Sequence, residues 1–360
     1  MKNILIVWDR IGDYHLARIN AVKSLITNNV VYSADLAGSD NLYKWNVGDV
    51  DNHFILSNKP AEKYDILKRF KNFVSILKKN KIKYCCLAGY GRIEYLLFIV
   101  WSKISGRKVL LFSESWYGSR TFGNILKSWF LRLFADKFLV SGIRAKNFAE
   151  NVLKIKVENI NTPYSVIDNQ HFENKLGYNP NHKIMLCMAR FSKEKNQEML
   201  INAFIKSKLS KTWKLKLVGA GPLKDNLIKQ TENYDNIIIS DWASYDKLPE
   251  IYSQSSFFVL ASTFEPWGLV VNEAMSAGLP IACSECVGCA PDLVSNKNGF
   301  IFNSSNINSM IDCFDKISEL SEPQLIEMSN QSLKTISDYT PKIWAENLLN
   351  LLNYENYQHC

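Results

Sequence analysis

The stretch FEPWGLVVNEAMSAGLP, residues 264–280, carries two glutamates, Glu265 and Glu273, with a Pro-Trp-Gly break after the first. Pro266 and Gly268 keep Glu265 in a loop directly after the apolar run SFFVLAS, and Gly278 and Pro280 end the helix that follows. Gly268 lets the backbone approach a ligand closely, and Gly268 and Leu269 present N–H groups at the helix start, where anions bind. Glu273 falls about a turn into that helix. Carboxylates so placed could hold a sugar and a ribose, since one carboxylate can accept two hydrogen bonds from vicinal hydroxyls. They could equally be a loop charge and an acid favoured by the helix dipole.

Fixed positive charge stands upstream. The apolar run KIMLCMAR ends on Arg190, and FSKEKNQ follows with Lys193, Lys195 and Asn196 before the helical EMLINAF. Cations just beyond a strand and before a helix N-terminus make an anion site, and Arg190 with Lys195 could clamp a diphosphate without a metal ion. A solvated loop is the alternative. LVGAGPLKDNL, residues 217–227, offers Gly219 and Gly221 after another strand pattern, but Lys224 stands where a dinucleotide fingerprint needs its third glycine. A tight turn beside a ligand is the better use of the pair, although Asp241 lies at the distance of a ribose acid. In CSECVGC, Cys283, Cys286 and Cys289 lack a fourth ligand nearby, so no metal site is expected, and the cysteines read as reduced, mostly buried thiols.

The elements that must position these groups alternate along the chain. KNILIVW, KYCCLAG, KVLLFSES and KFLVSG are strand candidates in the first half, separated by helical patterns such as HLARINAVKSLI and EYLLFIVWSKI. The pattern restarts after a Pro- and Asn-rich segment near residues 161–182, with KIMLCMAR, WKLKLVG, NIIIS, SFFVLAS and PIACS. A chain of 360 residues exceeds what one core supports. Strand–helix alternation predicts parallel sheets covered on both faces, with ligands beyond the strands' carboxyl ends. The expected division is 1–165 for one doubly wound domain, 166–340 for a second, and 341–360 for a helix that reaches back across the first.

Charge is divided unevenly. Residues 1–168 hold 26 Lys and Arg against 14 Asp and Glu, a net +12, and the remainder holds 17 against 21, a net −4. Much of the excess lies in residues 59–83, where Ile66, Phe70, Phe73, Val74 and Leu77 recur at helical spacing among lysines. That helix either turns its stripe to its own core or lies on an anionic membrane surface. No nucleic-acid motif accompanies the charge. The N-terminal apolar run is too short for a secretion signal, and YLLFIVW is far below a membrane span, so a cytoplasmic protein, or a peripheral one on a membrane's inner face, is expected.

Taken in order, Arg190…Lys195, GAGP, FVLASTFEPWGLVVNEAMSAGLPIAC, GCAPDLV and NGFIF resemble the retaining glycosyltransferases of the GT-B fold, the group called glycosyltransferase group 1 or family 4. YSVIDNQHF resembles that family's interdomain segment. The resemblance implies an α/β fold of two doubly wound, Rossmann-like domains facing a central cleft, the first binding acceptor and the second the nucleotide sugar. Arg190 and Lys195 would hold the diphosphate and stabilise its leaving charge, Glu265 would contact the transferred sugar, and Glu273 would hold the ribose. Gly268 and Leu269 would meet the donor through backbone N–H groups. The nucleotide base would sit near DWASYDKL, residues 241–248, and Asn298-Gly299 would be a structural turn.

The first half matches less well. It has only Gly12, in DRIGDYH, where the family often has a glycine pair. Gly12 could still admit the diphosphate, and His15 could face the acceptor or cap its helix. Glu114, Trp116 and Arg120 of SESWYGSR would contact an acceptor sugar or phosphate at the cleft. The implied activity is retaining transfer of a hexose from a nucleoside-diphosphate donor to a glycan or lipid-linked glycan, in bacterial surface polysaccharide synthesis, with no cofactor and no metal. A sugar-nucleotide epimerase of the same architecture and a catalytically silent binding domain are the alternatives. The five scattered histidines weigh against the first, and the four intact site residues against the second.

Overall fold

The computed structural model describes residues 2–26, 29–38, 50–60, 63, 65–119 and 121–354. They form two compact units: Met1–Asp168 with Thr340–Cys360, and Asn169–Tyr339. The division falls three residues beyond the expected 165/166 because Ser165 and Val166 are bound into the first unit. Arg18 donates two hydrogen bonds to the Val166 carbonyl, and the Ser165 hydroxyl donates to Glu114.

Among the described residues the first unit is built on seven parallel strands: β1 (Asn3–Trp8), β2 (Val31–Asp35), β3 (His53–Ile55), β4 (Ile82–Leu87), β5 (Lys108–Ser113), β6 (Lys137–Val140) and β7 (Ile160–Asn161). Their order is β3-β2-β1-β4-β5-β6-β7. β1, NILIVW, is buried at all six positions, as a central strand covered on both faces must be. The helix Pro341–Leu351 belongs to this unit, packs on the helix Asp13–Leu25, and buries Trp344 5.7 Å from the ring of Phe112. Among the described residues no helix is long and apolar enough to cross a membrane.

The second unit repeats the plan with six parallel strands: β8 (Ile184–Met188), β9 (Lys214–Val218), β10 (Ile237–Ser240), β11 (Phe257–Leu260), β12 (Ile281–Ser284) and β13 (Gly299–Phe302). The order β10-β9-β8-β11-β12-β13 again places the first strand between its successor and the fourth. Connections leave β1 and β8 toward one side and return on the other. Each sheet therefore has a switch point, between β1 and β4 and between β8 and β11, where the carboxyl ends leave room for a ligand.

The sequence pattern misses β2, β3, β7 and β13. VYSAD is interrupted by polar residues, HFI and IN are only three and two residues long, and GFIF follows an Asn-Gly pair that reads as a turn. That turn does precede β13. Asn298 is buried, donates from Nδ2 to the Leu293 carbonyl at 2.9 Å and accepts from the Ser295 N–H at 2.8 Å. A Cβ on Gly299 would stand 1.9 Å from the Ile281 carbonyl oxygen, so glycine is required there.

The basic segment forms the helix Ile66–Lys79, with Phe73 and Leu77 in the first unit's core and Phe70 and Val74 packed against it. Its apolar stripe faces inward. Arg69, on the same inner side, is fully buried and donates to Glu94 at 2.6 Å, while Arg92 lies 3.5 Å from the same carboxylate oxygen. Burial alone would raise the Glu94 carboxyl, but hydrogen bonds from its own backbone N–H and Arg69, with the charge of Arg92, hold it below the usual range. Removing one member of a buried pair leaves the other uncompensated. Arg69→Met should cost about 3 kcal/mol in urea unfolding, and adding Glu94→Leu should recover at least half of that. Equal loss in the single and double variants would show that the pair is not what stabilises this edge.

Candidate functional site

The loop leaving β8 is fixed by backbone contact. A Cβ on Gly219 would lie 2.0 Å from the Ala189 carbonyl oxygen, and one on Gly221 would lie 2.4 Å from that of Phe191. The Phe191 N–H donates to the Ala220 carbonyl, and the Leu223 N–H to that of Phe191. The Gly-Ala-Gly turn therefore exists to seat the β8 loop. Lys224 and Asp241, at the positions that raised a dinucleotide reading, form an ion pair with each other. Arg190 is exposed, but its carbonyl is held at 2.8 Å by the side chain of the buried Gln197, so the point of departure of its guanidinium is set.

Lys193–Lys195 then form a single tight turn, closed by the Lys195 N–H to the Ser192 carbonyl at 3.0 Å. Glu194 within it accepts from the Ser192 hydroxyl. That bond and its own backbone N–H, with the charges of Lys195 and Arg190, hold its carboxyl below the usual range. Both cations thus act on one short loop. Asn196, in the left-handed region at φ 58°, ends the turn and starts the helix Gln197–Lys206.

The loop leaving β11 is tied to this turn and to the loop beyond β12. The Thr263 N–H donates to the Glu194 carbonyl at 2.8 Å. The Glu265 N–H donates to the Cys286 carbonyl at 3.2 Å, and the Gly288 N–H donates to the Glu265 carbonyl at 2.9 Å. With its backbone clamped on both sides, Glu265 extends its carboxylate to Lys195, and the two form a half-buried ion pair. Gly268 adopts φ 99° at the start of the helix Leu269–Ser276, where a Cβ would stand 3.2 Å from Val287 and 3.3 Å from Leu260. Trp267 is buried, its indole N–H donating to Asn272 at 2.9 Å.

Glu273 lies one turn along, buried, and accepts a 2.6 Å hydrogen bond from the Tyr252 hydroxyl. Tyr252, on the helix Leu248–Ser253, is a site residue that sequence reasoning misses. Its contact with Glu273 spans 21 residues and leaves no local pattern. Glu194 is missed as well, although FSKEKNQ places it between the two lysines. Beside the DWASYDKL loop, Tyr245 stacks on His171 of the linker segment, rings 4.0 Å apart and nearly parallel, and Phe172 is buried under both Tyr245 and Tyr252. Cys283 and Cys289 are buried, and burial pushes the Cys289 thiol well up. Among the described residues no group of His, Cys, Asp or Glu is arranged to hold a metal ion.

In the first unit, the loop after β1 is pinned by Asp35 at the end of β2, which accepts the Ile11 N–H at 2.8 Å. Gly12 starts the helix Asp13–Leu25 in extended geometry. His15 accepts the Gly12 N–H on Nδ1 at 3.0 Å, and its ring packs 4.7 Å from Trp8. His15 is therefore a helix cap in this structure, with its proton on Nε2, which leaves that nitrogen a donor rather than a base. Glu114 accepts from the Ser165 hydroxyl, and the Arg144 guanidinium lies 4.8 Å over the ring of Trp116. Arg120 lies outside the described residues.

Residues 168–334 match the family model of the glycosyl transferases group 1, and the second unit is a domain of that family. An uncharacterized glycosyltransferase of Haemophilus influenzae is 31% identical over 174 residues, 46% of this chain and 48% of that protein. The sulfoquinovosyl transferase of Arabidopsis thaliana is 30% identical over 145 residues, 39% and 27% of the two chains. The alpha-monoglucosyldiacylglycerol synthase of Streptococcus pneumoniae is 32% identical over 117 residues, 31% and 26%. These matches span about a quarter to a half of the relatives' own length. Two solved structures cover nearly all of the chain: the sucrose-phosphate synthase of Thermosynechococcus elongatus, with TM-score 0.75, 15% identity and 98% of each chain covered, and an Anabaena protein crystallised with UDP, with TM-score 0.74, 14% identity and coverage of 98% and 100%. The fold is GT-B, two Rossmann-like domains.

Burial, with the charge of Arg18, holds the His15 imidazole well below its ordinary value. The unfolded chain then takes up a proton near pH 6.5 that the folded protein resists, so stability should fall as pH drops below that value. His15→Gln should flatten the fall between pH 7 and pH 5, where one such proton changes stability by at most about 1.4 kcal/mol per pH unit. Parallel urea midpoints for both proteins at every pH would contradict the lowered His15 imidazole.

Proposed function

We propose that the chain is a retaining glycosyltransferase of family 4, moving a hexose from a nucleoside-diphosphate sugar to a glycan or lipid-linked glycan acceptor, with no metal required. Bacterial surface polysaccharide synthesis at the cytoplasmic face of a membrane suits the basic first unit. The observation that carries this reading is the Lys195–Glu265 ion pair at the switch point of a glycosyl transferases group 1 domain. A diphosphate offers Lys195 a more highly charged partner than a carboxylate. Exchange of that partner frees Glu265 to accept hydrogen bonds from the sugar's hydroxyls. Arg190, on the rim of the same loop, adds a second cation and a planar fork suited to phosphate oxygens. The Anabaena structure, crystallised with UDP, supports a nucleotide donor for this fold.

The chemistry then asks little covalent work of the protein. The bond from the sugar's anomeric carbon to the diphosphate oxygen breaks as the acceptor oxygen bonds on the same face. The acceptor's proton passes to the departing diphosphate oxygen. Lys195 and Arg190 stabilise the charge that builds there, and as fixed groups they need no reorganisation to do so. Glu273, already aligned by Tyr252, would present its carboxylate to the ribose hydroxyls.

Incubation with UDP- and GDP-sugars and candidate lipid-linked acceptors tests the assignment. Free nucleoside diphosphate should appear only with acceptor, and the product should keep the donor's anomeric configuration by NMR. Donor converted without acceptor would indicate an epimerase, and no turnover with any pair would indicate a silent domain. Glu265→Ala should lower kcat about ten- to a hundredfold with little change in nucleotide affinity, whereas Glu273→Ala should weaken nucleotide binding by a similar factor. Indistinguishable, negligible effects in two folded variants would sink the assignment of both glutamates.

A further inference from the structure

The helix Phe122–Phe134 of the first unit is apolar on both sides. Leu131 lies in the core, and Phe130 and Phe134 pack against it. The opposite side holds Phe122, Ile125, Leu126, Trp129 and Leu133, with Phe122 75% and Trp129 65% exposed and the other three between 43% and 54%. At 3.6 residues per turn these five fall within an arc of about 100°. A surface helix ordinarily turns polar residues outward, so a continuous stripe of this kind calls for a partner.

The surrounding charge selects the partner. No acidic residue stands between Glu114 and Asp136, whereas Arg120, Lys127 and Arg132 do. Arg132 is exposed beside the stripe, whereas Lys127 leaves the helix on the other side, its ammonium 5.5 Å from the ring of Tyr90. The sequence up to residue 168 carries a net +12. A second copy packed on this face about a two-fold axis would set Arg132 against itself, with no acid in this segment to answer it. An anionic lipid surface meets both features: headgroup phosphates for the cations and an acyl boundary for the large apolar side chains, with tryptophan suited to the interface.

We infer that the helix Phe122–Phe134 is an interfacial membrane-docking element, seated on an anionic bilayer through Phe122, Ile125, Leu126, Trp129 and Leu133. It locates the membrane contact on this helix rather than on the basic helix Ile66–Lys79, whose apolar stripe is already used by the core. The inference deepens the proposed action on membrane-linked acceptors, but vesicles without donor or acceptor test it separately, so either reading can fail alone.

The test is co-sedimentation of the full chain with phosphatidylcholine vesicles, with and without about a third phosphatidylglycerol. The protein should partition to the anionic vesicles and less to the neutral ones. The triple variant Phe122→Ser, Leu126→Ser and Trp129→Ser should lose at least about tenfold in partitioning, with unchanged far-ultraviolet circular dichroism and thermal midpoint. Arg132→Ser should weaken the preference for anionic over neutral vesicles, and Lys127→Ser, on the other side of the helix, should leave it unchanged. No association of the wild-type chain with anionic vesicles, or equal association by the folded triple variant, would overturn the inference. So would a lipid-free dimer in sedimentation velocity that the same three substitutions dissolve, because the stripe would then be covered by a second copy.

Discussion

The ion pair between Lys195 and Glu265 joins two loops whose residues stand seventy positions apart in the chain. Neither loop is free to choose its course. One is seated on the Gly-Ala-Gly turn after β9, and the other is stitched to the loop after β12. Parallel strands deliver all four loops to one edge of the sheet, and the reversal of strand order between β8 and β11 opens the space in which the pair lies. The side chains that could hold a donor are thus fixed by backbone contacts that glycine alone allows. Within this frame the pair is the part most open to exchange, being half-buried and composed of two charges that a phosphate and a sugar hydroxyl can each replace.

Burial separates the roles of the two glutamates. Glu265 is partly exposed and meets a cation, whereas Glu273 is enclosed and meets a neutral hydroxyl from Tyr252. A carboxylate set by a neutral donor keeps acceptor capacity for further hydroxyls without being neutralised. In the proposed reading, the carboxylate paired with Lys195 is released when that lysine meets a diphosphate. The sequence spacing that first marks the two residues therefore reflects two distinct electrostatic environments, one in the loop before the helix Leu269–Ser276 and one a turn inside it.

The second unit was the more legible. β13 apart, most of its strands are short apolar runs ending at glycine or serine, β9 alternating lysine with leucine, and the order of its charged and glycine residues follows a known pattern. Tyr252 was not legible, because which residue faces Glu273 depends on how two helices pack. In the first unit, β2, β3 and β7 carry too few apolar residues to register as strands. The paired carbonyls and N–H groups of their neighbours hold them in the sheet. The sequence leaves His15 two uses, and only the fold shows the Gly12 N–H on its Nδ1 and Trp8 against its ring. The helix Phe122–Phe134 raised no signal as a site, since apolar residues at helical spacing read as core, and only the fold reveals which face is turned outward.

Isothermal titration calorimetry of the full chain with UDP and with GDP, chelator present, bears most directly on the claim that the Lys195–Glu265 pair is a ready-made diphosphate site. The account predicts saturable binding of one of them, with affinity lowered about tenfold or more by Lys195→Met and by Arg190→Ala. No heat with either nucleotide, or binding that both folded variants leave unchanged, would contradict it.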